Sequence, residues 1–339
     1  MISDEVLHSF QGSNVIVTGG TGLIGRAVVA LLRKARASIK VISLDRLSIG
    51  DDIEHVYGDL TNFDFCKKAI KDADYLFHLA GVKGSIEVAA TKIASHFVPT
   101  LMLNVNVLEA SRINRIRKVV YTSSIGAYSN GEVFREKMPT GDFEGPPMDF
   151  ASWAKRMGEL QIFAYQKQYG FENYSIVRPC NVYGPGDNFD PDNAMVIPSL
   201  MYRILHKENP LVIWGDGTAI RDFAFSRDVA EGVILALHHG TKGRYVNLGS
   251  GSAYSVRELT ETLHSFLDFN YRFDSTKPSG AKRKVMDISL AKKLIGYCPS
   301  TSLLDGLKET WEWFVEHQNE HLQKVNYFKV DSSQQVETR

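Results

Sequence analysis

The chain has 339 residues, and its 39 basic and 39 acidic side chains give a formal net charge of zero. It has no basic stripe, so binding to nucleic acid or to a membrane surface lacks electrostatic support. Its three cysteines, Cys66, Cys180 and Cys298, lack the spacing of metal ligands and fit a reducing compartment rather than a disulfide framework. No apolar run has the length of a signal peptide or a membrane-spanning segment. We therefore expect a cytoplasmic protein without a metal site.

Near the start, a short apolar strand runs into three glycines at intervals of three residues, Gly19, Gly22 and Gly25. A side chain at Gly19 or Gly22 would hold the backbone away from a pyrophosphate, and one at Gly25 would hold the following helix away from the strand. The start of that helix offers free N–H groups and a positive dipole end. This order predicts a dinucleotide-binding turn, with Leu23 and Ile24 as further cofactor contacts.

A second predicted strand ends in Asp45, about 20 residues after the glycines. A carboxylate there accepts hydrogen bonds from the adenosine ribose and repels a 2′-phosphate, which favours NAD. Arg46 could hold that phosphate, so NADP stays an alternative. Asp59, followed by Leu60, is placed to meet the adenine ring, although it could instead cap the next helix. Ala80 allows close passage beside the cofactor.

Strands and helices alternate through the first half of the chain, which predicts an α/β fold with a Rossmann-type doubly wound parallel sheet and a smaller C-terminal substrate domain. The strands are predicted at 14–18, 39–44, 75–79, 119–122 and 175–178. We assign residues 1–182 plus about 219–252 to the NAD-binding domain, and about 183–218 and 253–322 to the substrate domain. Residues 323–339 are a polar tail, expected to be disordered or loosely docked.

Two predicted helices, near 97–115 and 152–169, suggest how copies of the chain associate. The first is apolar on more than one side, and such a helix is usually buried. We expect it to pack against a partner subunit, giving a homodimer built from these two helices.

Four later segments carry a resemblance to a known family. They are Y-T-S-S-I-G-A-Y at 121–128, the segment around Lys155, R-P-C-N-V-Y-G-P at 178–185 and W-G-D-G-T-A-I-R-D-F at 214–223. With the glycine turn and residues 78–81, they resemble the extended short-chain dehydrogenase/reductase family of nucleotide-sugar enzymes, over about residues 12–317. The resemblance implies NAD(P), a GDP- or UDP-linked sugar, and a Rossmann domain with a small substrate domain.

The family's catalytic unit is a Tyr four residues before a Lys, with a Ser or Thr nearby. The resemblance makes Lys155 the Lys and Ser124 the hydroxyl, and it adds Thr122 and Pro179 to the cofactor contacts. An ammonium close to the phenol favours the phenolate and lowers its pKa from about 10. Such a phenolate can take a proton from a sugar hydroxyl while hydride moves to the nicotinamide.

The position of that Tyr holds Ala151 instead. Three interpretations remain open. The chain could be an inactive variant in which Tyr has been replaced by Ala, which the intact glycine turn and Lys155 favour. It could be an enzyme that uses another base, such as Tyr128 or a water molecule. It could also bind the cofactor without turnover.

Four residues match family positions that contact the nucleotide sugar: Asn181, Val196, Arg221 and Arg283. A guanidinium can meet two phosphate oxygens at once, which suits Arg221 to a diphosphate. The alternative for Arg221 is an ion pair with Asp222 or Asp228. Asn181 could cap a turn, and Arg283 could belong to a solvated basic run.

The segment at 187–200 is similar to GDP-fucose synthases, which invert C3 and C5 before reducing a 4-ketone. In those synthases the inversion uses a Cys and a His as acid and base. Residues 123–128 contain no Cys, and Met195 stands at the His position. Ile125-Gly126 also lack the Asp-Glu pair of a 4,6-dehydratase. Three functions remain open: a 4-epimerase, a 4-keto reductase and a silent NAD-binding protein. Asp45 favours the 4-epimerase.

Overall fold

The structure is a computed structural model that describes residues 2–85, 90–136, 145–325 and 328. The helices are α1 Asp4–His8, α2 Leu23–Lys34, α3 Phe63–Ala69, α4 Ile93–Ile113, α5 Phe150–Tyr169, α6 Val196–Leu205, α7 Ser226–His239, α8 Val256–His264, α9 Ser289–Ile295 and α10 Leu303–Glu316. The strands are β1 Asn14–Thr18, β2 Ser38–Ser43, β3 Glu54–Tyr57, β4 Tyr75–His78, β5 Lys118–Thr122, β6 Val133–Phe134, β7 Tyr174–Pro179, β8 Asn181–Tyr183, β9 Leu211–Trp214, β10 Ile220–Arg221, β11 Phe223–Phe225, β12 Tyr245–Leu248, β13 Tyr254–Ser255, β14 Tyr271–Asp274 and β15 Arg283–Met286.

The central sheet has seven strands in the order β12-β7-β5-β4-β1-β2-β3, and every neighbouring pair is parallel. The predicted α/β class with a doubly wound parallel sheet is therefore confirmed. The five predicted strands correspond to β1, β2, β4, β5 and β7, with ends that differ by at most one residue. Both outer strands were missed, because β3 is only partly buried and Asn247 interrupts the apolar run of β12.

Helices cover the central sheet, with α2 packed on α7 and α4 packed on α5. Helix α5 begins where the Asp149 side chain accepts a hydrogen bond from the Ser152 backbone, and it ends at Gly170, which has a φ of +70°. These two signals fix its length, because an Asx cap satisfies a free N–H group and glycine adopts the left-handed conformation without strain. Of the helices described, none is both long enough and apolar enough to cross a membrane.

A second apolar core lies in the C-terminal half. Its buried members come from β8, α6, β9, β11, α8 and α10, and include Tyr183, Met201, Leu211, Leu259, Leu307 and Phe314. Part of the segment assigned to the substrate domain packs elsewhere. Residues Met286, Ile288, Ala291, Ile295 and Tyr297 belong to the core of the central sheet, since α9 packs on α7 and β12.

A buried ion pair joins α5 to the central sheet. The Arg178 guanidinium donates to both carboxylate oxygens of Glu159 at 2.8 and 2.7 Å, and both side chains are 1% exposed. Arg178 also lies over the rings of Tyr128 and Tyr245, at 4.2 and 3.6 Å from their centroids. Because Glu159 is one turn after Lys155, this pair holds the part of α5 that carries Lys155.

We predict that Glu159→Ala lowers the free energy of unfolding by about 3–5 kcal/mol, because it leaves the Arg178 charge buried without its partner. The measurement is urea unfolding followed by far-UV circular dichroism. Arg227→Ala is the matched control. This variant breaks the ion pair between Arg227 and Glu309, in which both side chains are about half exposed. It should lower the free energy of unfolding by at most about 1 kcal/mol. Equal losses in the two variants would contradict the prediction.

Candidate active site

The carboxyl ends of β1, β2 and β4 open onto a cavity at one edge of the central sheet. Open α/β sheets bind ligands at this edge. Seven of the predicted cofactor contacts line the cavity together: Gly19, Gly22, Leu23, Asp45, Asp59, Leu60 and Ala80. The other predicted contacts lie on neighbouring elements, with Ile24 and Gly25 in the first turn of α2, Thr122 at the end of β5, Lys155 in α5 and Pro179 at the end of β7.

The glycine turn is held by close backbone packing. Gly19 has a φ of +69°, and a methyl group on its Cα would lie 2.8 Å from Cα of Ala80. A methyl group on Gly25 would collide with the carbonyl oxygen of Gly19. Gly22 begins α2 without a side-chain cap, which leaves the first N–H groups of the helix available to an anion.

Asp45 follows β2 and faces the glycine turn. Its Oδ2 accepts a hydrogen bond from the Thr21 hydroxyl at 2.8 Å, and its Oδ1 accepts one from the Val325 backbone N–H at 2.8 Å. The described start of the predicted tail therefore reaches the predicted ribose site, which its polar composition had not indicated. The rest of residues 323–339, apart from Phe328, lies outside the described residues. Arg46 is exposed and is not among the residues that line the cavity.

Asp59 is not the cap of α3. The cap is Asn62, whose side chain accepts from the Phe65 backbone N–H at 3.0 Å, so that alternative was wrong. Asp59 accepts from the backbone and hydroxyl of Thr61, each at 2.8 Å, and it lines the cavity.

Lys155 lies beside this cavity. Its ammonium donates to the carbonyl oxygen of Thr122 at 2.9 Å and lies 5.3 Å from the centroid of the Tyr121 ring. Gly81, which lines the cavity, is close to it, because a methyl group on Gly81 would lie 3.3 Å from Lys155 Nζ. Burial lowers the pKa of Lys155 from 10.5 to about 8. The Tyr121 hydroxyl in turn donates to the Lys155 carbonyl oxygen at 2.9 Å.

A buried chain of hydrogen bonds connects the cavity to α5. The Ala80 backbone N–H donates to the Thr18 hydroxyl at 3.3 Å, and that hydroxyl lies 2.8 Å from His78 Nδ1. His78 Nε2 lies 3.1 Å from Asn104 Oδ1, and the Asn104 amide donates to the Ala154 carbonyl oxygen at 3.3 Å. Burial lowers the pKa of His78 to about 3. A neutral His78 that accepts at Nδ1 and donates from Nε2 satisfies the whole chain.

The sequence reasoning missed Asn104, although a signal for it existed. Asn104 is fully buried in α4 among apolar residues, and a buried polar side chain requires a partner. A polar residue within an apolar helix is therefore the pattern that could have indicated this network.

Ser124 follows the strand that Lys155 contacts, and Ala151 lies in the same helix as Lys155. Ser124 follows β5, and its hydroxyl accepts from the Gly126 backbone N–H at 3.1 Å. Ala151 lies in the first turn of α5, four residues before Lys155. At i and i+4 a side chain there shares the helix face of Lys155. The hydroxyls of Thr122 and Ser123 are buried and have no hydrogen-bond partner among the described residues.

Tyr128 is not positioned as a substitute base. Its hydroxyl donates to Asn247 Oδ1 at 2.7 Å, and its ring packs on Arg178 and Phe134. The side chain is 5% exposed. The interpretation that assigned it as the base is therefore not supported by its contacts, which are distinct from those of Lys155.

Arg221 does not form the ion pairs that were the alternative to ligand binding. Its guanidinium donates to the carbonyl oxygens of Ile220, Ala281 and Ser279 at 2.8, 2.7 and 3.4 Å. Asp222 accepts instead from Ser250, and Asp228 accepts from Thr301.

Asn181 is half-buried, and its amide donates to the Asp222 carbonyl oxygen at 3.0 Å. Val196 is the first residue of α6 and is 38% exposed.

The cation that accompanies Arg221 is Lys284 rather than Arg283. In the parallel pairing of β10 with β15, Arg221 is opposite Lys284 and Ile220 is opposite Arg283, and successive side chains of a strand face opposite sides. The Lys284 ammonium lies 3.1 Å from Met148 Sδ, just before α5. Burial, and secondarily Arg221, lower the pKa of Lys284. Because neighbouring side chains of a strand face opposite sides, only one of Arg283 and Lys284 can share a face with Arg221.

The loop after β8 closes one side of the cavity. Lys83 donates to Asp187 Oδ1 at 2.8 Å, and the Asn193 amide donates to the Lys83 carbonyl oxygen at 3.0 Å. Both loop residues and Lys83 line the cavity. No cluster of three or more His, Cys, Asp or Glu side chains suited to a metal ion occurs in the part of the chain that the structure describes.

An adenine dinucleotide fits this arrangement. Asp45 offers a carboxylate at the end of β2, the start of α2 is free of side chains at Gly22, and the Thr122 hydroxyl is buried without a protein partner. Buried polar atoms are rarely left unsatisfied, so the Thr122 hydroxyl can accept a further hydrogen-bond partner, and its role as a cofactor contact stays a prediction.

Known proteins support the same assignment. The chain is 30% identical over 325 residues to the GDP-L-fucose synthase of Sinorhizobium fredii, covering 92% of this chain and 98% of that protein. An epimerase structure from Methanothermobacter thermautotrophicus aligns with a TM-score of 0.83 and 25% identity, covering 94% of this chain and 97% of the other. A UDP-glucuronic acid 4-epimerase mutant of Bacillus cereus, in complex with a fluorinated UDP-glucuronic acid and NAD, aligns with a TM-score of 0.76 and 26% identity, covering 89% and 99%.

Residues 15–249 match the family described as the NAD dependent epimerase/dehydratase family. This match spans more than half of the chain and includes the glycine turn, Asp45, Ser124, Lys155 and Arg221. The chain belongs to the NAD dependent epimerase/dehydratase family.

Proposed function

We propose that this protein acts on a nucleotide-diphosphate sugar, linked to GDP or UDP, through hydride chemistry at C4 of the sugar, as a 4-epimerase. The observation that carries the proposal is the position of Lys155. It lies at the carboxyl end of β5, bound to the Thr122 carbonyl oxygen and adjacent to Gly81 on the wall of the cofactor cavity. Ser124 follows the same strand.

In this proposal each side chain of the site has a separate role. NAD, when bound, supplies the hydride acceptor and donor. Lys155 holds the nicotinamide ribose and favours the anionic form of a neighbouring oxygen, because its ammonium is buried, where charge interactions are stronger than in water. Ser124 donates a hydrogen bond to the reacting sugar oxygen. Arg221 and Lys284 provide positive charge toward the diphosphate.

Ala151 has no group that can accept a proton, so we propose that the chain turns over very slowly. The Lys155 contacts, the His78–Asn104 hydrogen-bond chain and the close-packed glycine turn are all present in this chain. This supports the interpretation as an inactive variant in which Tyr has been replaced.

Three observations bear on which C4 reaction is involved. Asp45 lines the cofactor cavity, and relatives of known structure include UDP-sugar 4-epimerases; both favour an epimerase. The relatives similar in sequence include GDP-L-fucose synthases, which favours a GDP-sugar 4-keto reductase without inversion at C3 and C5, since Met195 occupies the position of the acid/base His. The three unpaired cysteines support a cytoplasmic location.

We predict that Ala151→Tyr restores turnover of a nucleotide sugar. Loss of a positioned general base typically costs about 10²–10⁴-fold, so a gain of at least that size is expected. The measurement is NMR of UDP- and GDP-sugars incubated with protein and NAD, to detect a C4 epimer, and of 4-keto sugars with NADH or NADPH.

Lys155→Met in the restored protein should abolish the gain, because nothing would then favour the phenolate. Ser124→Ala should weaken turnover while NAD affinity stays nearly constant. A restored protein that binds nucleotide sugars but changes none of them would contradict the enzyme proposal and support a silent NAD-binding protein.

We also propose a homodimer formed by α4 and α5. Exposed apolar side chains recur at helical spacing on both helices: Val98, Met102 and Val105 on α4, and Phe150, Trp153 and Met157 on α5. Each is between 38% and 56% exposed. The two helices pack on each other, so these side chains can form one apolar face, and such faces are typical of subunit interfaces.

We predict that the unmodified chain has twice the 38.0 kDa mass of one copy in light scattering, and that Met102→Glu together with Trp153→Glu gives a monomer. A carboxylate at the centre of an apolar interface would be buried without a partner. Trp214→Glu, at a site that is 61% exposed on β9, is the control and should leave the mass unchanged. A mass near 38 kDa for the unmodified chain would rule out the dimer.

A further inference from the structure

The segment that follows α10 returns to the cofactor cavity. We call residues Glu320–Val325 the C-terminal strap. It begins with a short 3₁₀ helix, Glu320–Gln323. At its first residue, the Glu320 carboxylate lies 2.9 Å from the guanidinium of Arg26. Arg26 is in the first turns of α2, and its Nε donates to the Thr21 carbonyl oxygen at 3.0 Å. This end of the strap is therefore tied to the glycine turn.

Lys324 places an ammonium in the same cavity as the glycine turn. Its Nζ donates to the Gly186 carbonyl oxygen at 2.8 Å and lies 3.4 Å from Glu320 Oε1. The side chain is 15% exposed and lines the cavity with Gly19 and Gly22. Burial, and secondarily the charge of Arg26, lower the pKa of Lys324. An ammonium in this state gains from a further anion nearby, since burial has removed its water.

The next residue fixes the carboxylate predicted to hold the adenosine ribose. The Val325 backbone N–H donates to Asp45 Oδ1, while the Thr21 hydroxyl donates to Oδ2. An ionised carboxylate has about four acceptor sites, so two of them stay available for the two hydroxyls of a ribose. The strap therefore orients Asp45 without using up its capacity to accept hydrogen bonds.

The chain after the strap is anchored on the other side of the cavity. The Phe328 carbonyl oxygen accepts a hydrogen bond from the Lys92 ammonium at 2.8 Å. The rings of Phe328 and His96 make an edge contact, with centroids 5.6 Å apart. His96 Nε2 in turn lies 2.8 Å from the carbonyl oxygen of Val82, which lines the cavity. The chain is thus anchored on both sides of the strap's last residue, by Glu320 at the start of α2 and by Phe328 at the start of α4.

We propose that the C-terminal strap is the outer wall of the dinucleotide site and that Lys324 binds the pyrophosphate of the cofactor. This rests on the proposed binding of NAD at the glycine turn. The ligand class is an adenosine diphosphate, because the strap faces the pyrophosphate end through Lys324 and the adenosine ribose through Asp45.

The contacts favour a wall over a plug that competes with the cofactor. The cavity persists with the strap in place, since Lys324 and Val325 line it together with Gly22, Asp45 and Asp59. A competing segment would instead have to leave before the cofactor could enter. The two arrangements predict opposite effects of weakening the strap, because a wall adds to cofactor affinity and a plug subtracts from it.

The test is calorimetric titration of the full chain with NAD and with ADP. Lys324→Met should weaken the binding of both by about tenfold to a hundredfold, the range expected for losing a hydrogen bond to a charged group. Lys293→Met removes an exposed lysine of α9 that does not line the cavity, and it should leave both affinities unchanged. Val325→Pro, which removes the N–H group on Asp45, should also weaken both, whereas Leu322→Ala, at a side chain that is 72% exposed, should not.

Hydrogen–deuterium exchange of the strap gives a second readout that does not depend on activity. Saturating ADP should slow exchange at residues 322–325, because a wall closes on its ligand. Faster exchange with ADP, or tighter binding by Lys324→Met, would overturn the proposal in favour of a competing plug. If Lys324→Met binds NAD and ADP as tightly as the unmodified chain does, the proposed role of the strap is overturned but the cofactor site is not. An unmodified chain that binds neither NAD nor ADP overturns the cofactor assignment as well.

Discussion

The fixed position of α5 against the end of β5 is the constraint on which the site depends. The Lys155 ammonium donates to the Thr122 carbonyl oxygen, and the Tyr121 hydroxyl donates back to the Lys155 carbonyl oxygen. The buried Glu159–Arg178 pair secures the next turn of the helix. Removing one partner of a buried ion pair costs about 3–5 kcal/mol, so this pair ties that turn of the helix to β7. Lys155 is therefore held at one place beside the cofactor cavity.

The same placement of Lys155 underlies the proposal that a phenol at position 151 would be activated. At an effective dielectric constant of about 20, two unit charges about 4 Å apart interact by about 4 kcal/mol, which corresponds to about three pKa units. A phenol on the helix face of Lys155, at that distance from its ammonium, would thus have its pKa lowered toward neutral pH. Ala151 has no ionisable group, so under the proposed function the charge of Lys155 has no phenol to act on in this chain.

Much of the fold and the cofactor cleft could be predicted from the sequence, because these features depend on local patterns. The glycine spacing, the acid at the end of β2 and the apolar strands each follow from neighbouring residues. Features that join distant segments were missed. The pairing of Arg221 with Lys284 depends on strand register, the Asn104 network depends on α4 meeting β4, and the approach of Val325 to Asp45 joins residues 280 positions apart. The charge and polarity of the tail do not predict the contact between Val325 and Asp45.

The central claim, that the site is built to activate a phenol at position 151, is tested most directly by the pKa of that group. The measurement is an ultraviolet absorbance titration of Ala151→Tyr, taken as a difference from the unmodified chain. The background is low near neutral pH, because burial raises the pKa values of Tyr121 and Tyr183. The account predicts that the introduced phenol ionises well below its ordinary pKa of about 10 and that Lys155→Met reverses the shift. A phenol that ionises at or above that value, with no response to Lys155→Met, would contradict it.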